Sequence, residues 1–543
     1  MRILPIIAAN SLIFLSTIKE TAQFFFLLRF FRKVQIRKFT KLINKNIQSD
    51  YLSCKKQKLL NFPYDLPLTT WEDYTPYIRK IVTRSNGLLT SERVLLFEPT
   101  SGTTSATKYV PYTKSLKNEF ANAIKPWLFG LYITWPKLFV STQYWSISPA
   151  TNQAEHSDLG IPIGFEQDSE YLGGGLSAIQ NYIMVVPDRI KNVSDSQNWA
   201  YITAFYLLSD KKLGLISVWH PSFLTILIKS IQENYLQLVS DIKKGSISIE
   251  TYQFKRFSAG SIKPNRRRAE QLESLDINTQ GVFEKIWPRL QVISCWADTP
   301  EEPCLNQLKK IFPTTYIQAK GLIATEGIIS FPFGKRWGIP AYRSHYLEFI
   351  DLRTKKLKAL HQLNVGQKYE VVITTSGGLY RYKLNDIVQV TGMGKFRLPF
   401  FRFMHKSNYV SDIRGEKVSL HQVDGIFHLI FDKYDAINFL MLAPVIEENL
   451  AFYSCIINVD NPAQFPFRNL VSDIELGLRE NYHYNYAREL NQLQKLRVFL
   501  TQSNPTQDII SHLELLGTKK GDVKIMSMSK IPYWPNILKG KYL

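Results

Sequence analysis

The sequence has few cysteines, and none stands where cysteine chemistry would be expected. Cys54, Cys295, Cys304 and Cys455 are scattered through 543 residues. The sequence has no CxxC pair or Cys/His cluster to hold zinc, and four distant thiols do not make the disulfide framework of a small secreted domain. We therefore expect free thiols in a reducing compartment, and hence a cytoplasmic protein.

Acidic residues are almost missing from the first fifty positions, which contain only Glu20 and Asp50. Basic residues crowd the same stretch, and the whole chain has a formal net charge of +21. Such an excess indicates nucleic acid, anionic lipid or phosphorylated substrates as partners. Because no zinc-finger, RNP-like or homeodomain pattern accompanies the charge, we expect no nucleic-acid partner.

A long uninterrupted apolar run is missing as well. The first apolar run, residues 3–15, is shorter than the roughly 20 residues that cross a bilayer. A signal peptide would need a basic start and a small-residue cleavage site, and neither is convincing. For residues 1–48 the sequence predicts a basic helical lead-in whose apolar faces pack on the body of the protein. The alternative is a basic amphipathic surface in peripheral contact with an anionic membrane.

Strand-like and helix-like segments alternate along the chain, without repeats or Gly/Ser linkers. Val94 to Phe97 predicts a buried strand, and Thr113 can cap a helix. Phe223 to Val239 predicts another helix. Tyr369 to Lys383 predicts a hairpin that turns at Ser376-Gly377-Gly378. The mixture indicates an α/β or α+β fold with a large sheet.

A domain boundary is predicted just after Phe403, where the chain becomes polar. Because the chain is too long for one ordinary core, we expect a large N-terminal sheet-and-helix domain, residues 1–404, and a smaller C-terminal α+β domain, residues 405–543. In the smaller domain the pattern predicts helices at 420–431 and 470–486 and strands at 437–442, 451–459 and 496–501.

The sharpest motif is Thr100 to Lys108 (TSGTTSATK), between a predicted strand and a predicted helix. Its hydroxyls, approachable backbone N–H groups and lysine are the groups that a polyphosphate needs. It is not a Walker A loop, because that motif has Gly before the Lys and Ser or Thr after it. A solvated Ser/Thr-rich turn is the alternative interpretation.

Two carboxylates stand in further motifs. Glu326 lies in an otherwise small and apolar stretch, Gly321 to Gly327 (GLIATEG), where a buried unpaired acid would be costly. It is therefore a candidate Mg²⁺ ligand, since Mg²⁺ takes few protein carboxylates and completes its shell with phosphate and water. Asp386 is predicted to end a strand at a turn, where a carboxylate can accept both hydroxyls of a ribose. An ordinary turn aspartate is the alternative.

In this order and spacing, the three motifs resemble the GH3 family of acyl-acid amido synthetases, a branch of the adenylate-forming superfamily. Similar phrases run through most of the chain, among them Tyr144 to Ser148 (YWSIS), Val218 to Leu224 (VWHPSFL) and Trp287 to Leu290 (WPRL). The resemblance implies a ligase that uses ATP and Mg²⁺ to activate a carboxylic acid as an acyl-AMP and passes the acyl group to the amine of an amino acid. It also implies that the C-terminal domain is mobile. We expect a monomer.

The resemblance further implies roles for single residues. Lys108 and Lys524 would be catalytic, and Glu326 would serve the metal. The residues implied for ATP and its phosphates are Thr100, Ser101, Gly102, Thr103, Thr104, Lys108, Ala324, Thr325, Asp386 and Lys406. Those implied for the acyl pocket are Tyr144, Trp219, Gly321 and Leu322. His220 is expected to be structural.

The chain departs from the family pattern at several of these positions. Asn385 replaces the glycine that usually precedes the ribose-binding Asp. Lys406 replaces an arginine in the predicted hinge and cannot form the bidentate fork of a guanidinium. Asp522 replaces a glutamine close to Lys524. The alternatives left open are a ligase with coenzyme A or another thiol as acceptor, and a catalytically weakened ATP-binding protein at a membrane.

Overall fold

The computed structural model describes most of the chain, in two compact units. The residues it describes are 3–54, 66–83, 87–99, 108–146, 160–163, 179, 182–193, 195–247, 263–298, 303–407, 409–447, 450–516 and 523–543. Unit 1 comprises Met1–Trp219, Leu227–Asp298 and Phe312–Phe403, and unit 2 comprises His220–Ile226, Thr299–Ile311 and Met404–Leu543. The two short segments of unit 2 that precede residue 404 have no signal in the sequence pattern.

The α-helices are numbered in chain order. They are α1 (Ile3–Leu27), α2 (Phe31–Asn46), α3 (Asp50–Ser53), α4 (Thr75–Thr83), α5 (Lys114–Thr134), α6 (Ser196–Ser209), α7 (Pro221–Glu233), α8 (Tyr235–Lys244), α9 (Arg266–Glu273), α10 (Val282–Ile286), α11 (Pro303–Ile311), α12 (Leu420–Lys433), α13 (Phe467–Arg479), α14 (Tyr482–Glu489), α15 (Thr506–Leu515) and α16 (Trp534–Ile537).

The strands are numbered in the same way. They are β1 (Leu96–Pro99), β2 (Tyr109–Tyr112), β3 (Thr142–Trp145), β4 (Leu213–Ser217), β5 (Val292–Cys295), β6 (Tyr316–Ala319), β7 (Ile323–Ala324), β8 (Gly327–Ile328), β9 (Ser330–Phe333), β10 (Arg336–Pro340), β11 (Tyr346–Asp351), β12 (Leu357–Ala359), β13 (Lys368–Thr374), β14 (Tyr382–Met393), β15 (Pro399–Lys406), β16 (Val410–Ser411), β17 (Val418–Ser419), β18 (Ile437–Glu447), β19 (Leu450–Val459), β20 (Arg497–Thr501) and β21 (Gly540–Tyr542).

Two sheets organise unit 1. One is parallel, in the order β3-β4-β5-β6, with helices in its connections. The other is five-stranded, in the order β12-β11-β13-β14-β15, with β13 antiparallel to both β11 and β14. The predicted hairpin of residues 369–383 is therefore confirmed, and so is the mixed fold class. Because the carboxyl ends of parallel strands share one edge, the residues after β3, β4, β5 and β6 are brought together there.

The N-terminal lead-in forms α1 and α2, which a 3₁₀ turn at Leu28–Phe30 joins. The buried side of α1 packs along α5, as the sequence predicts. Among the residues described, one helical stretch, Ile3–Asn46, is long and apolar enough to cross a membrane by length and composition. Its most apolar window is 28% buried inside the protein.

Unit 2 is built on the sheet β18-β19-β20-β21, in which β19 and β20 are parallel and the other two pairs are antiparallel. Ile226 and α11 join this unit, because Ile226 packs in its core and α11 lies against β18. The helix predicted over 470–486 is instead two helices, α13 and α14. Asn481 separates them, because its side chain accepts the first N–H groups of α14.

Candidate adenylation site

The phosphate-loop candidate connects the two strands of a hairpin. β1 and β2 pair antiparallel, with Pro99 opposite Tyr109. Thr100, Ser101, Gly102, Thr103 and Thr104 lie outside the described residues, whereas Lys108 immediately precedes β2. In the chain the motif follows a strand and precedes a helix, as predicted, and the short strand β2 comes before that helix. Helix α5 follows, and the Thr113 hydroxyl caps it by accepting the Leu116 N–H at 3.1 Å.

Glu326 lies on a tight turn of unit 1. Ala324 of β7 pairs with Gly327 of β8, so that Thr325 and Glu326 form a two-residue connection. The Thr325 carbonyl accepts a hydrogen bond from the Tyr112 hydroxyl at 2.6 Å. This bond fastens the turn to β2, and the Glu326 side chain remains half-buried.

A buried network supports this turn from behind. The Ile328 N–H donates to Nε2 of His345 at 3.1 Å, so His345 is neutral and its proton on Nδ1 faces Glu119 at 3.0 Å. Burial lowers the pKa of His345, in agreement with that state. Burial alone would raise the pKa of Glu119, but Lys38, His345 and Ser376 hold it at about 2. Through Lys38, helix α2 thus helps to fix the turn that carries Glu326.

Asp386 lies within a strand, which corrects the expectation that it ends one. β14 continues to Met393, but its pairing with β13 shifts register between Glu370 and Val372, where three residues of β14 face one of β13. Asp386 is the last residue of this β-bulge. Asn385, in its middle, has φ +61°, a left-handed conformation that asparagine tolerates better than most residues. Asparagine is therefore compatible with the backbone conformation that the bulge requires at this position.

The Tyr382 hydroxyl marks where the motifs meet. Burial raises the pKa of Tyr382, and the charges of Glu326, Asp386 and Glu72 raise it further. Carboxylates from three separate segments of unit 1 therefore act on the same phenol. Asp386 is buried, Glu326 is half-buried and Glu72 is exposed. Because neighbouring like charges disfavour ionisation, cations or hydrogen-bond donors from the protein or from a bound molecule would stabilise such a group.

Lys108 belongs to the same neighbourhood. Its Nζ lies 5.6 Å from the centre of the Trp71 ring, which in turn contacts Tyr382 edge-on at 6.5 Å. Thr70 lowers the pKa of Glu72 through a hydrogen bond, and the Lys108 charge contributes to the shift. Trp71 and Glu72 are not predicted by the sequence, because no motif surrounds them and only the folded chain brings them to Tyr382.

The carboxyl edge of the parallel sheet carries an aromatic cage around a buried lysine. Lys320 follows β6 and is 4% exposed. Its Nζ lies 4.6 Å from the ring centre of Trp219, 5.7 Å from that of Trp127 and 5.9 Å from that of Trp145. Cation–π attraction stabilises a desolvated ammonium in such a setting by about 2 kcal/mol or more. Sequence reasoning selected Trp219 but missed Lys320.

The other acyl-pocket candidates have different surroundings. Tyr144 is fully buried and precedes Trp145 on β3, so the alternation of a strand directs the two side chains to opposite faces. Gly321 has φ +79°, and a Cβ there would lie 2.7 Å from the Ser330 carbonyl oxygen, so the backbone itself requires glycine. Leu322 is buried, and its N–H donates to the Ser330 hydroxyl at 3.0 Å.

Lys406 and Lys524 belong to unit 2, whereas the other described candidates belong to unit 1. Lys406 is the exposed last residue of β15. His220 is buried, and its Nδ1 accepts the Ser222 N–H at 3.2 Å at the start of α7. Burial and the charge of Lys524 lower the pKa of His220 to about 3, so the imidazole is neutral at physiological pH.

Family models match most of unit 1, including the phosphate-loop hairpin and the Asp386 bulge, whereas the Glu326 turn lies between the two matches. The GH3 family N-terminal domain matches residues 22–317, and the GH3 family central domain matches residues 338–406. Among curated proteins, the indole-3-acetic acid-amido synthetase GH3.2 of Arabidopsis thaliana is 25% identical over 441 residues, which are 71% of this chain and 75% of that protein. The probable indole-3-acetic acid-amido synthetase GH3.11 of Oryza sativa subsp. japonica is 24% identical over 70% of each chain.

Solved structures show the same fold. The AtGH3.15 acyl acid amido synthetase in complex with 2,4-DB superposes with a TM-score of 0.79 at 17% identity, over 92% of each chain. A 2-hydroxyisobutyryl-CoA ligase in its postadenylation state gives a TM-score of 0.52 at 10% identity, over 92% of this chain and 88% of that one. The architecture is thus shared with adenylate-forming ligases whose acceptors differ.

Proposed function

The chain belongs to the GH3 family, and on that premise we propose that it activates a carboxylic acid with ATP as an acyl-AMP and transfers the acyl group to the amine of an amino acid. The observation that carries the proposal is the neighbourhood of Tyr382. Glu326 and Asp386 both act electrostatically on this residue. Lys108, at the end of the phosphate-loop hairpin, lies over Trp71, which contacts Tyr382, and this arrangement supports a site for nucleotide, phosphate and metal.

The chemistry asks for positioning rather than for a covalent enzyme intermediate. A carboxylate is a poor electrophile until its oxygen attacks the α-phosphate of ATP, which releases pyrophosphate and leaves a mixed anhydride. Lys108 neutralises phosphate charge, and the rigid bulge presents Asp386 to the ribose hydroxyls. Ala324 and Thr325 border the nucleotide from a turn that Tyr112 holds in place. An amine then attacks the acyl carbonyl and AMP leaves.

Glu326 suits a Mg²⁺ ion that phosphate and water largely coordinate. Its carboxylate is a hard oxygen donor on a half-buried turn. Among the described residues, no group of three or more His, Cys, Asp or Glu side chains is arranged to hold a metal alone. When bound with the nucleotide, Mg²⁺ supplies positive charge to the phosphates, and Glu326 is the residue that would hold it.

The carboxyl edge of the parallel sheet supports a substrate class. Trp127, Trp145 and Trp219 offer broad apolar surface, while Lys320 offers a buried cation within the same cage. A planar or apolar acid that carries a second anionic or hydrogen-bond-accepting group, besides the carboxylate that is activated, matches both features. This class rests on the proposed ligase function.

Replacing Glu326 by Gln tests the site. The substitution keeps the size of the side chain but removes its charge, so acid-dependent exchange of pyrophosphate into ATP should fall by about 100-fold, within the range seen when single electrostatic groups are removed from active sites. Glu270→Gln, an exposed change on α9, is the matched control and should leave exchange unchanged. Equal exchange in the Glu326 variant would remove Glu326 from the metal site.

The acceptor is tested by adding amines and thiols separately to the preformed acyl-AMP. Amide formation with an amino acid supports the proposal. Thioester formation with coenzyme A, and no amide, would replace it by an acyl-CoA ligase. ATP binding without exchange across a broad panel of acids would indicate a catalytically weakened protein. Cytoplasmic location and a monomeric state stay predictions.

A further inference from the structure

The outer side of α1 is apolar over most of its length, with Lys19 as an exposed polar residue. Leu4, Leu12, Leu15 and Phe26 follow one another on this side at helical spacing, and all are exposed, Leu4 by 78% and Phe26 by 68%. With about 1.5 Å per residue, the stretch from Leu4 to Phe26 extends over about 33 Å. Monomeric soluble proteins rarely expose such a contiguous apolar surface, which typically marks an interaction site.

The inner side of α1–α2 is fixed to the protein by buried polar contacts. The Asn10 amide donates to the carbonyls of Phe139 at 3.2 Å and Ser141 at 3.0 Å, and it accepts the Tyr132 hydroxyl at 2.7 Å. The Gln35 amide donates to two further carbonyls at 2.6 Å each. If the helix crossed a bilayer, these bonds would break and the polar groups would lie in hydrocarbon without hydrogen-bond partners. The helix therefore lies along the protein surface.

Basic residues extend this outer surface along the 3₁₀ turn and α2. Arg29, Arg32, Lys33 and Arg37 are exposed. Glu20 is the only acid from residue 3 to residue 46, and it is half-buried in an ion pair with Arg343 at 3.1 Å. The outer surface thus combines apolar side chains with an uncompensated positive charge.

A turn elsewhere in unit 1 also combines exposed apolar surface with positive charge. A turn between β14 and β15 lies against the 3₁₀ turn Leu28–Phe30 and carries Lys395, Phe396 and Arg397, all exposed. The Phe396 ring is 57% exposed and stands between the two cations with φ +57°. An aromatic ring at a basic turn is suited to the interface between headgroups and acyl chains.

We propose that this surface docks on the face of a bilayer rich in anionic phospholipids. We call it the N-terminal face and define it by Leu12, Leu15, Phe26, Arg29, Arg32 and Phe396. The apolar side chains enter the boundary between headgroups and acyl chains, while the arginines and lysines bind the anionic headgroups.

Charge selects this occupant over a second copy of the chain. In a symmetric dimer the N-terminal face would meet itself, and its arginines would lie against the same arginines of the partner. Such contacts between like charges would lower the affinity of the two copies for each other at least several-fold. An anionic lipid surface instead offers a negative charge to each of these groups and a fluid apolar layer to the stripe between them.

Flotation with vesicles tests the proposal on the full chain. We expect binding to vesicles of phosphatidylcholine with about one third phosphatidylserine, and much weaker binding to phosphatidylcholine alone, with loss of about fivefold affinity for each basic residue that is removed. Accordingly, Arg29→Gln/Arg32→Gln/Lys33→Gln should lower binding by about 100-fold. Phe26→Ser should lower it by about tenfold, because it removes the apolar anchor.

Matched controls alter exposed residues of the same type elsewhere. Leu236→Ser on α8 and Lys243→Gln/Lys244→Gln should leave vesicle binding unchanged. All variants should retain the thermal stability and the pyrophosphate exchange of the native chain. Vesicle binding is measured without acid or ATP turnover, so it remains a valid test even if the ligase proposal fails. Equal binding of native chain and face variants would overturn the proposal. So would concentration-dependent self-association that the face variants abolish while vesicle binding is absent.

Discussion

At the scale of single residues, the chemical role of a side chain was easier to predict from the sequence than the residues that surround it in the fold. Glu326 and Asp386 lie in motifs whose residue types indicate binding of a phosphate or a ribose. Lys320, Glu72 and Trp71 have no such motif. They become relevant only because strand ends and a loop, far apart in sequence, converge in space, which single-sequence patterns do not encode.

Lys320 offers a test of the acid class. We expect Lys320→Met, which keeps a long side chain without its charge, to raise KM by about tenfold or more for acids with a second anionic group, since hydrogen bonds to charged groups contribute about 1.5–3 kcal/mol. KM for acids without that group should change little. Lys335→Met, an exposed change on the neighbouring turn, is the control. An unchanged ratio between the two classes of acid would contradict the assignment.

Asp298 predicts a dependence of stability on pH. It follows β5, and among the described residues its carboxyl has no hydrogen-bond partner. Burial raises its pKa from 3.8 to about 7, although the nearby Arg402 opposes the shift. Because the folded pKa is the higher one, this group stabilises the fold fully below about pH 4, and the stabilisation is lost as pH rises to about 7.

We therefore expect Asp298→Asn to remove the loss of folding stability that the Asp298 carboxyl causes as pH rises. Relative to the native chain, the variant should gain stability as pH rises from 4 to 7, by about 1.4 kcal/mol for each unit that separates the folded and unfolded pKa values. Thermal unfolding followed across this range measures the difference. Parallel curves for the two proteins would show that Asp298 is ionised in the fold.

At the scale of elements, local sequence signals predicted where a helix or strand begins, and which of the two it is, better than where it ends. Thr113 caps α5 as expected, and the strand around residues 369–374 is β13. The helix predicted over 223–239 is instead α7 and α8, because Asn234 leaves the helical conformation between them at φ −114° and ψ 16°. Apolar periodicity continues through such a break and hides it. The continuation of β14 beyond Asp386 was likewise hidden, because a bulge interrupts its alternation.

The β14 bulge makes its own prediction. Asn385→Gly should retain stability and ATP affinity, since glycine adopts φ +61° freely. Asn385→Val should cost about 1–2 kcal/mol and weaken ATP binding, because a β-branched residue resists the left-handed region and displaces Asp386. Thermal unfolding and nucleotide titration check both. Thr391→Val, at an exposed position of the same strand, is the control, and equal behaviour of the two valine variants would refute the role of the bulge.

At the scale of the whole molecule, the family resemblance read from the sequence is confirmed by the match to the GH3 models and by the fold. The sequence predicted a break after Phe403, where unit 2 resumes at Met404. It could not indicate that residues 220–226 and 299–311 belong to unit 2, because membership in a core depends on packing between distant segments.

Lys524 tests whether unit 2 takes part in the chemistry. Lys524→Ala should slow adenylation while leaving ATP affinity nearly unchanged, as expected for a charge that acts mainly in the transition state. Lys539→Ala, an exposed change in the same unit, should leave the rate unaltered. If the two variants behave alike, the segment around Lys524 is not catalytic in this chain.

The most direct measurement is the balance of nucleotide products. The chain is incubated with ATP, Mg²⁺ and panels of carboxylic acids and amino acids, and the products are identified by mass. We predict an N-acyl amino acid formed together with equal amounts of AMP and pyrophosphate. Acid-dependent formation of ADP and phosphate would contradict it, because the acid would then be activated as an acyl phosphate and not as an acyl-AMP.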